Sequence, residues 1–215
     1  MATRQVLAEL TAGFTRPVTI ESVGGVDAAQ RVQAGEAFDV VVLASDAIDK
    51  LLASGHLLPG SKVDWVRSGV AVAVRAGAPL PDVSSEDAVR RAVLAARSVS
   101  VPTGPSGVAL NKLFERWGIA DEIAARMVQA PPGVPVGSLV AEGRVELGFQ
   151  QLSELLHVPG IAIAGPLPPA IQITTTFSAG IGVQSQQPGA ARELLAYMAS
   201  PAAADAKRRQ GMDPA

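Results

Sequence analysis

The sequence predicts an α/β protein of two lobes, the second inserted in the first, and three observations carry that prediction. Apolar strand-like runs alternate with amphipathic helical patterns through the first 75 residues, as a β-α-β layered architecture requires. Pro/Gly-rich breaks at 76–82 (AGAPLPD) and 165–170 (GPLPPA) bracket a middle block that is itself a small α/β unit. The chain has 215 residues, more than one average domain of roughly 150. The expected lobes are 1–76 with 171–215, and 77–170, with crossing segments near 70–80 and 165–177.

Taken in order, residues 3–14 read as an amphipathic helix. Val6, Leu7, Leu10 and Phe14 share one face, and Thr3 is placed to cap it. Residues 18–23 (VTIESV) are β-rich and end at Gly24-Gly25. Asp27 caps a helix to Ala34 that Gly35 stops. Residues 38–44 (FDVVVLA) form a nearly continuous apolar run, the pattern of a parallel strand buried on both faces. Ser45 or Asp46 opens the next helix, with Ile48, Leu51 and Leu52 inward and Gly55 at its end. Residues 69–75 (GVAVAVR) are a strand, which suggests an open parallel sheet.

In the middle block, Ser84 or Ser85 begins a helix through Ala96, and 98–101 is a short strand. The turn TGPSG follows, then a helix at 108–117 stopped by Gly118. Residues 121–128 and 138–142 are helical, separated by PPGVPVG. Strands are expected at 146–149, 161–164, 171–177 and 181–183, and helices at 188–198 and 201–210.

Composition removes several function classes. Eighteen basic and 20 acidic residues leave a net charge of −2, which does not suit a nucleic-acid surface. The basic run Lys207-Arg208-Arg209 stands alone. With no cysteine there is no disulfide, thiol nucleophile or thiolate metal site. Two histidines, His56 and His157, and no Asp/Glu/His set at ligand spacing argue against a metal site. No apolar run reaches the roughly 18–20 residues of a membrane span. TGPSG lacks the GK[ST] ending of a phosphate loop, and there is no G-x-S-x-G nucleophile elbow. No cofactor is expected.

What remains is a set of small or polar turns where strands give way to helices. In open α/β sheets ligands bind beyond the C-terminal strand ends. The turns are Gly24-Gly25-Val26, Ala44-Ser45-Asp46, Thr103 through Gly107 with Ser106 in it, and Gln150-Gln151. The start at Thr3-Arg4 is a further helix N-terminus. Read singly, each turn is a cap. Together, their main-chain N–H groups and helix dipoles suit a small anion. Arg4 can pair with a carboxylate. Strand alternation sends one of Gln150 and Gln151 into the site and the other to a surface or sheet edge. Asp46, Glu154 and His157 are the candidate proton-transfer groups, none distinguished by its spacing.

The stretch GGVDAAQRVQAGEAFDVVVLASDAIDKLLASG resembles the first-lobe signature of the molybdate-type periplasmic substrate-binding proteins. TGPSGVALNKLFERWGI and SLVAEGRVELGFQQLSE are similar to that family's second-lobe segments, and GPLP follows them. The resemblance covers most of the chain and implies the type 2 periplasmic-binding-protein fold. It also implies that the main chain at Ser106 contacts an anion and that Gln151 stands where the family has a tyrosine ligand. The family's serine turn before the first helix has no counterpart here. Gly24-Gly25-Val26 occupies the second serine turn. Relatives on this fold include an isomerase that moves the double bond of aconitate.

Two functions follow as expectations. The first is a monomeric solute-binding protein that closes two lobes on a small oxyanion or carboxylate for ABC-type uptake. It would hinge near 69–75 and 171–177. The alternative is a cofactor-free isomerase of a small polycarboxylate. The opening MATRQVLAELTAGF is not a signal peptide. The expected native precursor extends upstream with an export signal and a periplasmic address, or is cytoplasmic if Met1 is the genuine start.

Overall fold

The computed structural model describes residues 2–131 and 133–215. The chain forms two compact units, Met1–Ser68 with Thr175–Ala215 and Gly69–Thr174. Pro132, within the PPGVPVG punctuation, lies outside the described residues.

In the first unit, α1 (Arg4–Ala12) follows the expected face. Val6 and Leu10 are buried with Trp65, Ala179, Leu195 and Met198, and Leu7, Phe14 and Val18 pack around them. Thr3 is its N-cap by position but makes no side-chain capping bond. The β-rich run at 18–23 forms no strand. Val18, Ile20 and Val23 are half-buried while Thr19, Glu21 and Ser22 are exposed, so the alternation is met by lying across the core. Helix α2 (Gly25–Gln33) starts three residues earlier than a cap at Asp27 implies. Gly24 is its N-cap and Asp27 sits in the first turn, where its charge still favours the dipole.

Strand β1 (Val40–Ala44) runs straight into α3 (Ser45–Ala53), which buries Ile48 and Leu51. Its partner corrects the parallel expectation: β1 pairs antiparallel with β6 (Thr174–Ile181), Val40 opposite Ile181. β1 is buried on alternate residues and half-buried on the others. The sequence pointed to two strands at 171–183, but one continuous strand forms there. The C-terminal helices α9 (Pro188–Ala199) and α10 (Ala204–Arg209) close the unit.

The second unit is organised on β2 (Val63–Arg75), a 13-residue strand twice the expected length that begins in the first unit. From Val70 to Val74 it is buried on both faces. It pairs antiparallel with β4 (Leu147–Gln151) and β5 (Ile161–Pro166). The parallel ladder is β3 (Val99–Ser100) with β4, Val99 opposite Leu147. Helices α4 (Glu86–Ala95) and α5 (Pro105–Arg116) cover one face. Val89, Val93, Leu110 and Phe114 join Val70, Val72 and Phe149 in one core. The 121–128 segment is the short α6 (Ala120–Ile123) and a 3-10 turn. Helix α7 (Val136–Ala141) lies directly on β4, where a Cβ at Gly148 would stand 2.6 Å from Val140. A single turn, α8 (Leu152–Leu155), continues from β4.

The Ser85 Oγ accepts the Ala88 amide at 3.2 Å and so caps α4. Ser85→Ala should lower stability by about 1 kcal/mol, read as a reduced urea midpoint at unchanged slope.

Candidate functional site

In a parallel pair the C-terminal ends of both strands lie at the same edge. The β3–β4 ladder therefore brings the turn after β3 beside Gln150 and Gln151 at the end of β4. Of the residues the sequence nominated, Thr103, Ser106, Gly107, Gln150, Gln151 and Glu154 share this end of the second unit.

Helix α5 starts three residues earlier than the periodicity indicated, because Pro105 takes the first helical position, where its missing N–H costs nothing. This buries Ser106 and Gly107 in the first turn and leaves Thr103 exposed. The turn folds back on itself tightly. A Cβ at Gly107 would stand 1.6 Å from the Pro102 carbonyl oxygen, so no side chain fits there. Just upstream, the Ser100 hydroxyl is fully buried and has no hydrogen-bond partner among the described residues. Its place at the end of a two-residue strand was not legible as a site.

Both glutamines are buried, Gln150 at 3% and Gln151 at 5% exposure. The expectation that one would reach a surface or edge fails because β2 pairs with both glutamines, the β3 ladder stops at Gly148, and α7 and α8 pack against β4. Gln150 is committed at both ends. Its Oε1 accepts the Gly137 amide at 3.0 Å, and its Nε2 donates to Glu154 Oε2. The Gly137 amide, in the first turn of α7, is a partner that sequence reasoning missed. Burial pushes the Glu154 carboxyl above its ordinary value, while a nearby positive charge and the Gln150 hydrogen bond both act to lower it. The other two proton-transfer candidates differ. Asp46 is exposed and pairs with Lys50 at 3.9 Å, and His157 is exposed beyond α8.

In the first unit, α2 runs back along β1, so Gly24 and Gly25 lie near the end of β1 where Ser45 begins α3. A Cβ at Gly25 would approach Leu43 to 3.9 Å. Gly25 and Val26 are exposed, Val26 at 68%. Thr3 is buried and Arg4 exposed at the start of α1, which belongs to a different packing cluster from α2 and α3.

The basic run near the C-terminus divides. Lys207 is buried with its ammonium 5.9 Å from the Trp65 ring centroid, while Arg209 pairs with Glu9 and Arg208 with Asp205. Burial lowers the Lys207 pKa. No group of three or more potential metal-ligating side chains occurs among the described residues, and no helix is long and apolar enough to cross a membrane. A separate surface cavity of about 330 Å³ in the second unit is lined by Lys112, Arg116, Ile171 and Gln172, none of them singled out by the sequence.

The model of the bacterial extracellular solute-binding protein family matches residues 2–213. The chain belongs to this family. It is 44% identical over 185 residues to an aconitate isomerase from a Pseudomonas species, covering 86% of this chain and 70% of that protein. Its fold is that of periplasmic binding proteins. The Azotobacter vinelandii periplasmic molybdate-binding protein superposes with a TM-score of 0.80 at 22% identity, covering 98% of this chain and 95% of that one. The Mycobacterium tuberculosis sulfate-binding protein gives 0.74 at 15%, covering 99% and 82%. The resemblance read from the sequence is thus upheld at family level, and the fold is mixed α/β as expected.

Two outcomes test the site's construction. Gly107→Ala should cost about 3 kcal/mol, because the obstacle is backbone and cannot swing aside; denaturant unfolding measures it. Glu154 tests the sign of its shift. A carboxyl whose folded pKa is raised binds more protons in the fold. Stability therefore falls as pH rises from the unfolded to the folded value, and the full cost persists above it. The uncharged Glu154→Gln should melt higher than wild type at about pH 8, with the gain shrinking toward about pH 4. Thermal melts across that range read the effect.

Proposed function

We propose that this family member is an isomerase that shifts the double bond of a small unsaturated polycarboxylate such as aconitate. The observation that carries the reading is the 44% identity to the Pseudomonas enzyme across most of the chain. The reaction moves one proton and one double bond and changes no oxidation state. A methylene C–H breaks, its electron pair becomes the new C=C, and the old C=C pair takes a proton at the distal carbon. Catalysis then needs a proton carrier and N–H donors for the charge that spreads into a carboxylate. The first turn of α5 supplies the main-chain N–H of Ser106 at a positive helix end.

The second reading is a solute-binding protein that closes on a small anion. The family's description and the molybdate-binding fold neighbour favour it. An export address and a partner permease belong to that reading.

Turnover separates them. Incubation with cis- or trans-aconitate, followed by chromatography, should show interconversion to a common equilibrium mixture. In a thermal-shift screen, the aconitates and citrate should stabilise the fold, by about 2.7 kcal/mol at ligand 100-fold above Kd, while molybdate and sulfate should not. Stabilisation by molybdate or sulfate with no interconversion would replace this reading with the second.

A further inference from the structure

We propose that the Glu154 carboxylate is the group that moves the proton and that Gln150 positions it. The inference rests on the isomerase reading and names its acid–base machinery.

Gln150 has one acceptor and two donor hydrogens on its carboxamide. The Gly137 amide claims the acceptor at 3.0 Å in a buried setting. The amide cannot flip without leaving that N–H unpaired in the interior. Its Nε2 is therefore fixed as a donor toward Glu154, and Glu154 Oε2 is fixed as an acceptor. The three parts come from three elements, the first turn of α7, the end of β4 and α8. Helix α7 is held on β4 by the close approach at Gly148, and β4 is held by ladders on both sides. The carboxylate thus has its rotamer and hydrogen-bonding role set before any ligand arrives.

The surroundings match the task. The strand β4, the strand β5 and the helix α7 beside α8 carry no titratable side chain, the exposed His157 lies beyond α8, and a positive charge acts on the Glu154 carboxylate. Burial outweighs that charge and pushes the Glu154 carboxyl upward, which makes its carboxylate a better base than an exposed one. The other nominated side chains at this end of the unit, Thr103, Ser106 and Gln151, are neutral, so they can donate to a substrate carboxylate without competing for the proton. In the reaction one carboxylate oxygen takes the methylene proton while the C–H pair becomes the new double bond. The same group then delivers that proton to the distal carbon, and the carboxylate is regenerated.

The test starts from wild-type protein that interconverts cis- and trans-aconitate. Absence of wild-type turnover removes the isomerase reading, and this proposal with it. Given wild-type turnover, Glu154→Gln should lower kcat about 10³-fold and keep trans-aconitate stabilisation in a thermal-shift assay. Glu154→Ala should regain activity with added formate, an external carboxylate that a purely structural role would not exploit. Gln150→Leu should lower kcat at least tenfold with KM within threefold, and Gln150→Asn should recover part of the loss. Near wild-type kcat in Glu154→Gln, or equal loss of ligand stabilisation and activity in that variant with no formate rescue of Glu154→Ala, would overturn the proposal and leave the isomerase reading standing.

Discussion

The interior position of β4 is the constraint on which the candidate site depends. All five of its residues are buried, between β2 on one side and β3 on the other. A strand of that kind is normally a continuous apolar run, yet this one ends in two glutamines. A buried carboxamide must find partners or cost the fold several kcal/mol. Gln150 meets the demand by taking the Gly137 amide and donating to Glu154. The polar network at the end of the sheet is therefore a consequence of the ladder, and any shift of register by one residue would dismantle it. Ala71 opposite Gln150 and Val70 opposite Gln151 fix that register.

The α5 side of the same edge is fixed by crowding. Where β3 gives way to α5, the chain turns so tightly that only glycine fits at 107, packed over the Pro102 carbonyl. A site held by such a close backbone approach is rigid without charged side chains. Main-chain N–H groups and hydroxyls recognise anions through geometry and number, with little desolvation cost compared with buried cations. Glu154 lies at this edge, and burial pushes its carboxyl upward. An environment that holds a carboxylate half-buried stores instability at that point, and functional sites are where such a cost persists.

Much of this was legible from the sequence because it is local. Helix faces at 4–12 and 45–53 follow from apolar spacing, and the stop glycines Gly35, Gly55 and Gly118 all carry positive φ. The turn containing Ser106 and Gly107, and the pair Gln150-Gln151, were visible as small and polar residues at strand ends. Strand direction was not legible, since an apolar run such as 40–44 reads alike in parallel and antiparallel ladders, and its partner lies more than 130 residues away. The 18–23 run misled because half-burial over a core produces the same alternation as a paired edge. Glu154 could not be ranked above Asp46 or His157 by spacing. What distinguishes it is burial and the contact with Gln150 four residues before it, whose carboxamide is oriented by Gly137, 13 residues earlier still. Lys207 shows the same limit, because one residue of a basic run is interior while its neighbours make surface ion pairs.

A fold shared with anion-binding proteins can support isomerisation with few changes, and the arithmetic of catalysis says why. Binding energy that is equal for substrate and transition state accelerates nothing once the site is filled. A receptor for small carboxylates already supplies orientation and N–H donors, and those donors become more valuable when charge spreads onto the carboxylate oxygens in the transition state. The missing part is a proton carrier whose affinity for protons is near that of the medium. An exposed carboxylate is too weak a base, and one in a strong ion pair is weaker still. Burial raises the basicity of a carboxylate, as it does for Glu154. On the proposed reading, the step from binder to isomerase turns on the electrostatic setting of that single side chain in α8, while the recognition surface around it can stay as it was.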